Sequence, residues 1–285
     1  MAEDLLRDNI PSFEKKGEAG SGGVSLSNWS ALTAGTGVRT GAEIVAIVIT
    51  AVIIIGGAEL LLRYFEVPQY ILPTPTLIGS SLINDFPMLW PHVVVTLKEL
   101  ILGFAIGATV GLVLAAIITQ FPFVEKIVTP YILLLVTTPM VALVPLLILR
   151  FGFGSEPRII AVALAVGPMV MINSATGFRR VDLAKIALAR SFGASTFQVY
   201  WKIRIPMALP MVIVGLMVGS IFGLLTAVGA ELVGGKDGLG NRLSYYSSLI
   251  QMPQFFACIV ILALIGVLLY VTFFLIGKKW ASWQA

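Results

Sequence analysis

Charge is scarce in this chain. Only 12% of its 285 residues are Asp, Glu, Lys or Arg, against 58% hydrophobic residues. A soluble domain carries about twice that charge, so a water-exposed globular surface is excluded as the main design. Cysteine is scarcer still. Cys258 stands alone in an apolar run, which rules out an intrachain disulfide or a cysteine zinc site and leaves a small packing residue. His92 is the single histidine; following Pro91, it reads as a helix-boundary residue rather than a ligand. No phosphate-binding G-x-x-x-x-G-K-[ST] string occurs: Gly235-Lys236 is followed by Asp237, and Ala230 stands where the upstream glycine would be. H-E-x-x-H and G-x-S-x-G are also missing. No catalytic residue, metal ligand or cofactor of its own is therefore assigned to the chain, and no enzyme activity is expected. The net charge of +4 belongs to basic loops and is no signal for nucleic acid.

What the chain does have is long apolar runs, and its mean hydropathy is +0.96. Six stretches reach membrane-spanning length. They are expected at about Glu43–Leu62, Val93–Thr119, Lys126–Leu149, Ile159–Gly177, Ala208–Glu231 and Phe255–Gly277. The fold class is thus an all-α membrane protein with six transmembrane helices. Residues 1–42, acidic at the start and glycine-rich at 17–23, are expected to be a flexible cytoplasmic segment without a secretory signal. Residues 43–279 form the membrane domain, and 280–285 a short cytoplasmic tail. Between the first two spans the prolines and Asn84-Asp85 break the run, with a short interfacial helix expected at Thr76–Leu82.

Several residues inside the spans stand out. Gly103, Gly107 and Gly111 recur every four residues, as do Gly215, Gly219 and Gly223, so each set lies on one helix face and lets another backbone come close. Lys98 and Glu99 either snorkel outward or face a water-filled cavity. Pro130, Pro139 and Pro145 free carbonyls in the third span, which suits a helix beside a cavity. Lys98, Pro139, Pro145, Asn173 and Glu231 are the candidates for a translocation path.

The most polar stretch lies at 178–206. Arg179, Arg180, Lys185, Arg190, Lys202 and Arg204 fall within 26 residues, which places it on the cytoplasmic side. Asp182 is positioned to cap a helix running to about Phe192, and Gly193 to end it. Ser195 and Gln198 have capping-box spacing for a second short helix, expected to stop near Arg204 because of Pro206. Phe197, Tyr200 and Trp201 share one face of it. Such a knob suits docking on another protein, or lying on the bilayer surface. With the N-terminus inside, 13 of the 19 basic residues fall on the inner side, supporting two cytoplasmic termini.

The stretch resembles the signature loop of binding-protein-dependent ABC importer permeases: E-A-A, three residues, G, nine residues, I-x-L-P. Ala187-Leu188-Ala189, Gly193, Ile203, Ile205 and Pro206 stand at those positions, with Ala187, Leu188 and Ile205 replacing the family's Glu, Ala and Leu. YILPTPTLI, TTPMVALVPLLILRFGFG and AELVGGKDGLG are similar to segments of the nitrate/sulfonate/taurine branch. The resemblance implies the ABC importer permease fold with a cytoplasmic coupling helix, in which Ala187, Ala189, Arg190, Gly193, Ala194, Ser195, Ile203 and Pro206 contact an ATPase. It implies a homodimer in the inner or plasma membrane, two ATPase subunits carrying ATP and Mg, and an extracytoplasmic substrate-binding protein. The solute would be small and, by the branch, anionic. A self-contained, ion-coupled secondary transporter is the alternative; it would need an ion site at the membrane midplane. A membrane scaffold without transport is a third class.

Overall fold

The computed structural model describes residues 41–280; all of the expected N-terminal segment but its last two residues, and all of the tail but its first, lie outside them. Among the described residues every regular element is helical. Helix α1 is Gly41–Tyr64, and the chain divides within it into two units, at Gly56. The second unit holds α2 (Pro75–Asn84), α3 (Phe86–Gln120), α4 (Pro122–Thr137), α5 (Met140–Phe151) and α6 (Glu156–Arg179). It continues with α7 (Leu183–Ser191), α8 (Thr196–Val199), a π turn at Tyr200–Arg204, α9 (Ile205–Gly234), α10 (Leu239–Ser248) and α11 (Met252–Trp280).

Helix α6 is the centre of the bundle. More than half of its apolar window is buried (56%), against 11% for α11, which marks α6 as core and α11 as peripheral in the bundle. Both glycine stripes face α6. A Cβ on Gly107 would stand 2.5 Å from the Ala163 carbonyl, and one on Gly103 2.5 Å from Val162 Cβ; Gly111 lies against the Gly167 carbonyl. From the other side, Cβ atoms on Gly215 and Gly219 would come within 2.9 Å of Asn173 and Val170 side chains, and one on Gly223 within 3.0 Å of Val166. Lipid offers no hydrophobic drive between helices, so close backbone approach is what holds α3 and α9 on α6. Val162, Val166 and Val170 form the centre of the main apolar core, with Leu100, Leu224, Leu239 and Cys258 around them.

Three expectations are corrected. Helix α3 begins at Phe86, not Val93, and takes in Pro91, whose missing N–H affects only the helix's second turn. The third span is two helices, α4 and α5, bent by 96° at Thr138-Pro139. The second short helix does not stop at Pro206: the π turn, closed by Ile205 N–H on Tyr200 O, widens the helix and carries it into α9, and Pro206, which lacks an N–H, follows directly on the widened turn. The glycine-rich segment after α9 is short, and Gly240–Arg242 already belong to helix α10.

Contacts fix the two ends of the bundle. At one end Arg204 donates to Gln120 (3.1 Å) and Arg179 pairs with Glu125 (2.7 Å), joining the ends of α3 and α6 to the starts of α4 and α9. At the far end Ile148 of α5 packs beside Gly234 of α9. The bent pair α4–α5 therefore runs from one end to the other. Among the described residues five helices are long and apolar enough to span a membrane, and the bent pair, taken as one span, makes a sixth.

Candidate functional site

At the knob end, α7 and α8 form a small folded unit. The Asp182 carboxylate accepts Ala184 N–H at 2.9 Å and starts α7. The helix closes with Gly193 N–H on Arg190 O (2.9 Å) and Ala194 N–H on Ala189 O (3.0 Å), the two bonds of a Schellman motif. That motif needs a left-handed residue, and Gly193 has φ +77°. A reciprocal capping box, Ser195 N–H to Gln198 Oε1 (2.9 Å) and Gln198 N–H to Ser195 Oγ (3.2 Å), starts α8.

The knob has its own core. Val181, Ile186 and Val199 are buried, with Ala189, Ala194, Ile203 and Met207 packed against them. Of the coupling candidates, then, Ala189, Ala194 and Ile203 hold the knob together, while Ala187, Arg190, Gly193 and Ser195 are exposed on it. Pro206 is half-buried at the root of α9. Sequence reasoning did not single out Leu188 and Phe192, which are 60% and 83% exposed beside the basic residues. Phe197 and Trp201 are exposed too and stack at 6.2 Å between centroids, whereas Tyr200 turns inward onto Phe178 at 5.4 Å. The knob is joined to α9 without a break in helical structure.

The far end holds a buried polar lock. Glu99 is fully buried and does not snorkel: Arg158 Nη1 of α6 stands 3.0 Å from its Oε1. The angle lies outside hydrogen-bond geometry, so this is a charge contact and neither Glu99 oxygen has a hydrogen-bond partner. The same Arg158 nitrogen donates to Asp237 O at 3.0 Å. Glu231, also fully buried, accepts from Thr96 Oγ1 and from Gly240 N–H, each at 2.7 Å. Thr96 Oγ1 in turn accepts Leu239 N–H at 2.9 Å. Two unpaired N–H groups at the start of α10 are thus satisfied by α3 and α9, which is why a glycine-rich segment forms a helix here. A Cβ on Gly238 (φ +105°) would collide with the Glu231 carboxylate. The A-E-x-x-G…G-L-G pattern is the covalent form of this lock. His92, buried, joins it: Gly238 N and Arg242 Nε lie 3.1 and 2.7 Å from its two ring nitrogens. Arg158 is not among the residues the sequence singles out; the signal that could have found it is Glu99, since an intramembrane carboxylate demands a cationic partner.

The five path candidates do not come together. Glu231 belongs to the lock. Lys98 and Pro145 are exposed on α3 and α5. Asn173 is half-buried, donates to Met169 O at 2.8 Å and packs against Gly215. Pro139 lines a cavity of about 200 Å³ at the bend between α4 and α5.

The site is thus a helical bundle of membrane-spanning length with a folded polar knob continuous with one of its core helices. The chain matches the family described as binding-protein-dependent transport system inner membrane component over residues 107–282, and it belongs to that family. It is 31% identical over 203 residues to a probable ABC transporter permease protein of Haemophilus influenzae, covering 71% of this chain and 83% of that one. It is 29% identical to the riboflavin transport system permease protein RibX of Chloroflexus aurantiacus (76% and 82% covered) and to the taurine transport system permease protein TauC of Escherichia coli (69% and 71%). Among solved structures, an inward-facing MetNI methionine ABC transporter aligns with a TM-score of 0.55 at 18% identity, covering 67% of this chain and 93% of that one. An amino acid ABC transporter aligns equally well at 22% identity (68% and 92% covered). These likenesses share the fold. The protein is an inner-membrane permease of the ABC importer class.

Proposed function

We propose that residues 178–206 are the coupling surface through which separate ATPase subunits drive this permease. ATP and Mg sit on those subunits, and two of them serve a pair of permease copies. The observation that carries the reading is a knob with its own apolar core, presenting Ala187, Arg190, Gly193 and Ser195 and continuous with α9, so that a push on the knob moves a core helix of the bundle. The knob end faces the cytoplasm, with both termini on that side. The far end, capped by α10, receives a substrate-binding protein. The solute passes beside the α4–α5 bend, where Pro139 lies. Relatives named for taurine and for riboflavin bring both a sulfonate and an uncharged heteroaromatic within reach of the likeness.

Purification through a tag on this chain in mild detergent tests the reading. The expected result is co-elution of a stoichiometric soluble protein carrying a phosphate-binding loop, with ATP hydrolysis that depends on the knob. Elution of the chain alone in several detergents, with no ATPase rebinding to it, overturns the reading.

A further inference from the structure

The knob has two roots, and each reaches across to the turn between α3 and α4. At the α9 root Arg204 donates to Gln120, the last residue of α3 (3.1 Å). At the α6 root Arg179, three residues ahead of the Asp182 cap, pairs with Glu125 in the first turn of α4 (2.7 Å). Helix α3 lies tight on α6 through its glycine stripe, so its hold on the bundle does not depend on a polar contact. Helix α4 is held differently. Ile132 is its single buried residue, with Val128 and Leu135 half-buried near it. A cavity of about 160 Å³, lined by Glu125, Thr129 and Leu133 on one side and by Ile172, Thr176 and Arg179 on the other, lies between its first half and α6. The Thr129 and Thr176 hydroxyls donate to carbonyls of their own helices, each at 2.8 Å, and do not bridge the gap. Among the described residues the Arg179–Glu125 pair is the only ion pair or side-chain hydrogen bond from α4 to another helix. At its other end α4 bends by 96° at Thr138-Pro139, where proline removes a backbone N–H. Helix α4 is thus an arm with a bend at one end and one charged fastening at the other.

We propose that Arg179 and Glu125 are positioning residues: their ion pair is the latch through which the knob moves α4, and with it the wall of the cavity at Pro139. The proposal rests on the coupling reading above and adds a second line of transmission beside α9. Leu135 and Val136 of α4 line that cavity, so a shift of the arm reshapes it. Because a gap separates α4 from α6 next to the pair, a displacement of the α6 end reaches Glu125 through charge attraction and not through packed side chains. Both partners are partly exposed, and such a pair adds little to stability. Its loss is therefore expected to leave the bundle folded and to show in coupling. Glu125 also sits where the free N–H groups of α4 favour a carboxylate. A role confined to that helix end would not depend on the sign of residue 179, which separates the two by experiment.

Fluorescence from the cavity wall tests this in the chain reconstituted with its ATPase partner. In a Cys258→Ala background, Val136→Cys is labelled with monobromobimane, whose emission follows its surroundings in lipid or in water, before the ATPase is added back. ATP with vanadate is expected to shift the emission. Arg179→Glu and Glu125→Arg are each expected to lose most of that shift while ATP hydrolysis continues, and the two together to restore it. A full shift in either single variant, or no restoration in the double variant, overturns the latch and leaves the coupling reading in place. If a charge-reversed chain does not insert, Glu125→Gln is expected to lose the shift and Glu125→Asp to keep most of it; equal behaviour of these two overturns the latch as well. No shift in the Val136→Cys parent overturns the latch, and if ATP hydrolysis is also independent of the knob, the coupling reading falls with it.

Discussion

Gly193 has open space around it, so its contribution is backbone conformation alone. A β-branched residue in the left-handed region costs on the order of 1–2 kcal/mol, whereas Asn visits that region more readily. Gly193→Val is expected to unseat α8 and lower transport-coupled ATP hydrolysis several-fold, while Gly193→Asn keeps most of it. Equal loss in both would point to the docking surface instead of the turn. Arg158 works by charge. Replacing it with Leu leaves Glu99 buried and unpaired, a loss of roughly 3–5 kcal/mol, while Glu99→Leu/Arg158→Leu together recover most of it. Thermal aggregation in detergent reads the difference: a double variant as unstable as Arg158→Leu would show that the arginine acts through Asp237 O rather than through Glu99.

At the scale of elements, the stripe glycines and the surface glycines part company. Gly107→Val drives a side chain into the Ala163 carbonyl and is expected to abolish the packed bundle, seen as loss of monodisperse protein. Gly79 in α2 has nothing within 4 Å of a Cβ, so Gly79→Ala gains helix propensity and leaves the melting temperature unchanged or slightly raised. Local patterns made much of this legible in the sequence. Asp182, Gly193, the Ser195–Gln198 box and both stripes are read from spacings of three to five residues, which helix geometry fixes. What was not legible depends on distant partners. Pro206 reads as a stop because a π turn cannot be seen in a propensity, and the 96° bend at Thr138-Pro139 is set by how α4 and α5 pack on α6. Helix α10 forms because Thr96 and Glu231, more than a hundred residues apart, meet its first N–H groups.

For the whole molecule, the bent pair decides the topology. If α4 and α5 only dipped into the membrane and returned, the 152–155 turn would lie at the knob end. The lock argues otherwise. Arg158 stands just after that turn and touches Glu99, while its neighbour Asp237 follows α9, whose start lies at the knob. The turn and the α9–α10 segment therefore share the far end. By the charge rule the six basic residues of 179–204 are expected on the cytoplasmic side. Alkaline phosphatase fused after Gly154 or after Lys236 is expected to be active and after Arg190 inactive, with a fluorescent protein at residue 285 bright. Activity after Arg190 would invert the whole arrangement and put the knob where no ATPase can reach it. Inactivity after Gly154 with activity after Lys236 would make the bend a re-entrant hairpin and detach the cavity at Pro139 from any path across the membrane.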